Sequence, residues 1–78
     1  MKKKANLLMH EQILSQAQAW EFPQEKNSEG NWSIYPKKKT ERWQLSQAGE
    51  RWLLLVDGVP QINLTLEEVL VFLKRRLS

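Results

Sequence analysis

The apolar positions of the C-terminal half change period along the chain. They alternate through Trp43 and Leu45, break at Ala48-Gly49, resume at Trp52, Leu54 and Val56, and break again at Asp57-Gly58 before Ile62 and Leu64. Alternation with a period of two marks strands, and glycine-bearing breaks mark turns. Beyond Thr65 the period lengthens. Leu66, Val69, Leu70, Leu73 and Leu77 recur at helical spacing, and Val71 and Phe72 widen the stripe. The pattern predicts three strands joined by two hairpin turns, followed by a helix.

Register follows from the same pattern. A two-residue loop at Ala48-Gly49 sets Leu45 opposite Trp52 and Trp43 opposite Leu54, so that Trp43, Leu45, Trp52, Leu54 and Val56 share one face. A three-residue loop would place Arg51 among them, because a shift of one residue turns every side chain over. Asp57-Gly58 suits a type I′ turn, whose two central residues both need φ > 0. It sets Leu53 near Ile62 and Leu55 near Pro60, and Pro60, lacking an N–H, places the third strand at an edge. The run Trp52-Leu53-Leu54-Leu55-Val56 is apolar on both sides, which predicts cover on both sheet faces by the two helices or by a second subunit.

The C-terminal helix carries a full start signal. Thr65 at the N-cap and Glu68 three residues on make a capping box, and Leu64 with Val69 makes a hydrophobic staple. Lys74-Arg75-Arg76 fall in its last turn, where cations complement the carbonyl end. Upstream, residues 5–20 read as a helix with Leu7, Met9, His10, Ile13, Leu14, Ala17 and Trp20 on one side. Pro23 ends it. Gln24 to Asn31 is polar and reads as a loop, Asn31 to Tyr35 as a short strand, and Pro36 with Lys37-Lys38-Lys39 closes that strand. The expected fold is α+β: an N-terminal helix, an antiparallel sheet of three to four strands and a C-terminal helix packed on the sheet. One domain covers residues 1–78, with a flexible basic N-terminus at 1–4 and a loop at 23–31.

Composition narrows the chemistry. With 78 residues, no cysteine and one histidine, neither disulfides nor thiolate-bound zinc can staple the fold, so four tryptophans must supply much of its core. Met1 to Met9 begins like a signal peptide, but His10-Glu11-Gln12 interrupts the apolar run. No stretch approaches the ~20 apolar residues of a membrane span. The expectation is a soluble, cytoplasmic protein with no cofactor, no metal and no small-molecule substrate. His10 beside Glu11 reads as structural, and Glu67-Glu68 as helix-start acids, so no catalytic set emerges and the chain is not expected to be an enzyme.

Two binding surfaces remain. Surplus apolar residues at Leu53, Leu55, Val71 and Phe72 point to a protein partner or a homo-oligomer, as expected of a regulator, adaptor or assembly factor. Alternatively, a net charge of +3 and the interleaved Trp32, Tyr35, Lys37, Lys38, Lys39, Arg42 and Arg51 point to DNA or RNA, with cations for phosphates and rings for bases. The competing account makes Trp43 and Trp52 core and the lysines a solvated loop. In order of elements, Glu41 to Ser78 resembles the three-stranded sheet plus helix of the integrase arm-type and AP2-like DNA-binding domains. The shared feature is a strand ending at Asp57-Gly58, a short strand, and Thr65 with Glu67-Glu68 opening an apolar helix. That resemblance implies a DNA-reading sheet face away from the helix, here carrying Arg42, Gln44 and Arg51 together with Leu53 and Leu55.

Overall fold

The computed structural model describes residues 2–77, with side chains described from His10 to Leu77. Helix α1 (Lys2–Ala19) is followed by strands β1 (Gln24–Lys26), β2 (Trp32–Ile34), β3 (Trp43–Ala48), β4 (Arg51–Val56) and β5 (Val59–Leu64), and by helix α2 (Leu66–Arg75). The class is α+β. The sheet has five strands in the order β1-β2-β3-β4-β5, each antiparallel to its neighbours.

The additional strand, β1, lies in the segment expected to be a loop. Gln24-Glu25-Lys26 has no apolar alternation, so its strand character comes from its surroundings. The Asn27 Oδ1 accepts the N–H groups of Glu29 and Asn31 at 2.9 and 3.0 Å, and Gly30 at φ +87° closes the turn. The Gln24 amide donates to the Leu14 carbonyl at 2.6 Å, which ties β1 to α1.

The β3–β4 turn differs from expectation by one position. Its central residues are Gly49 and Glu50, not Ala48 and Gly49. Gly49 is at φ +64° and Glu50 is not positive, the pattern of a type II′ turn with glycine first. Leu45 therefore pairs with Leu54, Trp43 with Val56, and Gln47 with Trp52. The pairing moves by two residues, an even number, so the apolar face is retained. Asp57 and Gly58 at φ +54° and +78° form the expected I′ turn, and Leu55 pairs with Pro60. A β-bulge then takes up Gln61, so Ile62 lies opposite Leu54 rather than Leu53. The bulge turns Ile62 and Leu64 onto the face of Trp52.

That face holds the core: Ile34, Leu45, Trp43, Trp52 and Leu64 from the sheet, Ile13 and Ala17 from α1, Val69 and Leu73 from α2, and Phe22 between α1 and β1. Both helices pack side by side on it, α1 toward β1 and α2 over β4 and β5. The expected cover on both sheet faces is thus corrected. The opposite face is open, and Leu53 and Leu55 stay half-buried there beside Ser33, Ser46 and Gln44, whose side chains hydrogen-bond one another. His10 is buried, and its Nδ1 accepts the Trp52 indole N–H at 3.2 Å, so the histidine is structural. On α1, His10, Ile13 and Ala17 are buried and Leu14 is half-buried, as is Trp20 just beyond the helix end, in keeping with the periodicity; the Leu7 and Met9 side chains fall outside the described residues.

Each helix boundary has a local cause. At α2 the Thr65 Oγ1 accepts the Glu68 N–H at 3.2 Å and the Glu68 Oε1 accepts the Thr65 N–H at 2.8 Å, completing the capping box. At α1 the Glu21 N–H donates to Gln18 O and the Phe22 N–H to Ala17 O, the paired bonds of a Schellman motif. Glu21 therefore takes the left-handed position at φ +67°, which glycine occupies in most such ends. This motif ends α1 two residues before Pro23 acts. Glu21→Gly is expected to stabilise the domain by about 1 kcal/mol, the left-handed strain removed less the unfolded-state entropy added. A denaturant melt reads the gain, and an unchanged or lower midpoint would contradict this geometry.

Candidate interaction surface

Helix α2 begins at the end of β5 and runs back over the sheet, and its path leaves part of the helix-bearing face bare. Val56, Val59 and Ile62 stand on that face, yet they are 39%, 56% and 54% exposed. Three half-buried or buried groups border them. Leu64 lies two residues beyond Ile62, Leu54 pairs with Ile62, and Trp43 pairs with Val56. On α2, Val71 is 51% exposed. A groove of about 290 Å³ lies between Leu64 and the helix flank formed by Glu68, Val71, Phe72, Arg75 and Arg76.

Phe72 has a double role in this border. Its ring meets Trp43 edge-on with centroids 5.1 Å apart, and the Arg76 guanidinium stacks over it at 3.8 Å. Trp43 also meets Phe22 edge-on at 5.8 Å and donates its indole N–H to the Glu41 carboxylate at 2.7 Å. Phe72 is consequently half-buried and packed on the core, whereas Val71, one residue away, points outward. Leu53 and Leu55 lie on the opposite, open face. The four apolar residues singled out in the sequence thus divide between two faces of the molecule.

The cationic and aromatic residues do not form one surface either. Trp32 shares the helix-bearing face, half-buried, with the Lys26 ammonium 5.9 Å from its ring. The Tyr35 hydroxyl donates to Glu25 at 3.2 Å. Arg42 pairs with Asp57 at 3.2 Å, where both groups are exposed and the pair contributes little. Arg51 follows the β3–β4 turn, at the end of β4 far from Asp57. What the fold does bring together is Lys37 and Lys38 with Arg76 from the other basic run. With Phe22, Glu41 and Leu77 they line a cleft of about 190 Å³. Lys37 sits 5.0 Å over the Phe22 ring there. Lys39 is exposed nearby in sequence and does not line the cleft. A third groove, of about 560 Å³, runs between the helices past Gln12, Ser15, Gln16, Ala19 and Leu70.

Among the described residues no three of His, Cys, Asp or Glu gather as metal ligands, and no helix is long and apolar enough to cross a membrane. Comparison with known protein families, with curated proteins and with solved structures yields no match.

Val56, Val59 and Ile62 were not reached from the sequence. Their exposure depends on the course of α2 over the sheet, and for Ile62 also on the bulge at Gln61, which a uniform alternation misses. The clearest test of this surface concerns neighbours on α2. Phe72→Asp is expected to destabilise the fold by about 3 kcal/mol or more, through loss of the Trp43 and Arg76 contacts. Val71→Asp is expected to stay within about 0.5 kcal/mol of the parent. Equal effects of the two in a urea melt would refute the division drawn between them.

Proposed function

We propose that this protein is a non-enzymatic interaction module that binds another polypeptide through the β5 edge and the adjoining flank of α2. The observation that carries this reading is the exposure of Val56, Val59 and Ile62 on the outer strands of the helix-bearing face, together with an exposed Val71 on the α2 flank that lines a groove with Leu64. Leaving that aliphatic surface in water costs about 25 cal/mol per Å² relative to burying it. β5 supports the reading as well. It is the long outer strand of the sheet, and its sequence Val59-Pro60-Gln61-Ile62-Asn63-Leu64 holds no charge. Edge strands that must stay unpaired are commonly guarded by charges, bulges or proline. Here Pro60 and the bulge guard the first half, and the second half has no such guard.

The half-buried Leu53 and Leu55 on the open face offer a second, weaker apolar area, diluted by its serines and glutamine. A regulator, adaptor or assembly factor needs no more chemistry than such a surface. A cytoplasmic setting is consistent with this role and remains part of the proposal. Ile62→Asp and Val71→Asp are each expected to abolish binding of the partner protein while the thermal melt stays near the parent. Leu55→Asp, on the other face, is expected to leave binding intact. Retained binding in both edge variants, measured on purified folded protein after nuclease treatment, would sink this reading.

The cleft shared by Lys37, Lys38 and Arg76 favours a second reading, contact with nucleic acid. Three cations, two of them stacked on aromatic rings, could seat phosphates, although Trp32, Arg42 and Arg51 lie outside the cleft. On this reading the affinity for a single-stranded oligonucleotide falls with salt at a log–log slope of about −2, as three phosphate contacts require. Lys37→Gln with Lys38→Gln would flatten that slope. Absence of binding at low salt would eliminate this reading and leave the first untouched.

A further inference from the structure

We propose that the occupant of the β5–α2 surface is a second copy of this chain, related by a two-fold axis that sets the two α2 helices antiparallel. This rests on the reading of that surface as an interface, and it names the partner. The warrant is the order of charges along one flank of α2. Glu68, Val71, Phe72 and Arg75 follow the i, i+3, i+4, i+7 spacing that places residues on one stripe. All four line the groove beside Leu64. Leu70, by contrast, lines the groove shared with α1, so the stripe lies on the flank turned away from α1.

The stripe has an acid at its N-terminal end, a base at its C-terminal end and two apolar residues between. An antiparallel copy centred between Val71 and Phe72 brings Glu68 of each chain to Arg75 of the other. It also brings Val71 of each chain to Phe72 of the other. Two-fold symmetry requires such reciprocity, because whatever residue i meets, its mate must meet in return. A parallel copy would oppose Glu68 to Glu68 and Arg75 to Arg75. An acidic peptide would satisfy Arg75 and Arg76 but meet Glu68 at the other end of the groove. A second copy satisfies both charges. Glu68 can serve in this way while holding its cap, since its Oε1 takes the Thr65 N–H and a carboxylate has a second oxygen to offer.

The experiment is sedimentation velocity on the full chain across a concentration series, with charge reversals on the stripe. The parent is expected to approach twice the 9.2 kDa chain mass as concentration rises. Arg75→Glu is expected to weaken the dimer about tenfold or more, since it opposes two acids at each of two symmetric sites. Glu68→Arg does the same but also removes the cap, so a circular-dichroism melt accompanies it. The decisive variant combines Glu68→Arg with Arg75→Glu in one chain. It inverts both partners and is expected to restore dimerisation relative to Arg75→Glu alone. A dimer indifferent to all three variants overturns the proposed geometry. A strict monomer overturns the second-copy assignment. If that monomer still binds a different protein in a manner abolished by Val71→Asp, the interface reading survives. If binding to any protein ignores Val71→Asp and Ile62→Asp, both fail.

Discussion

Two tryptophans on one face of the sheet govern the rest of the structure. Trp43 and Trp52 project from neighbouring strands to the same side, and each must be covered by something other than the sheet. Trp52 is fully enclosed, with its polar edge satisfied by His10 of α1. Trp43 collects Phe22 from the α1–β1 link, Phe72 from α2 and the Glu41 carboxylate. One ring thus calls for α1 and the other for α2. With both helices committed to that face, neither is left for the other.

The open face follows from this commitment. A strand as apolar as β4 ordinarily has cover on both sides. Here Leu53 and Leu55 are tolerated half-buried because a hydrogen-bonded Ser33–Ser46–Gln44 band and the neighbouring residues of β5 flank them. A chain of this size has little core to distribute, and concentrating it on one face makes a single dry layer. The bare corner at Val56, Val59 and Ile62 has the same origin. One helix of ten residues cannot cover every position on the outer two strands.

The basic residues show how a fold redistributes charge. Lys37 and Lys38 from one run and Arg76 from another, far apart in sequence, meet in one cleft where α2 finishes. Lys37 stacks on Phe22 and Arg76 on Phe72 there, with Glu41 lining the same cleft. Arg42, which a reading of the sequence groups with the lysines, is instead tied to Asp57 across the β3–β4–β5 end. Proximity in the sequence therefore does not decide which cations lie together in the fold.

The sequence by itself determined the local and parity-governed features: α2 with its capping box, the apolar side of α1 from His10 onward, the I′ turn at Asp57-Gly58, and the shared face of Trp43, Leu45, Trp52 and Leu54. These depend on hydrogen bonds within a few residues or on the period of two, which survives even when the pairing slides by two residues. Tertiary structure decided what depends on neighbours. β1 is a strand because a turn and a glutamine anchor place it, not because of its composition. The bulge at Gln61 is set by the demand that Leu64 enter the core, and it turned Ile62 to a face that alternation would not assign. Which face the helices cover, and hence which aliphatic residues stay in water, is a competition between surfaces for a limited number of covers. No local signal in the chain encodes the outcome of that competition.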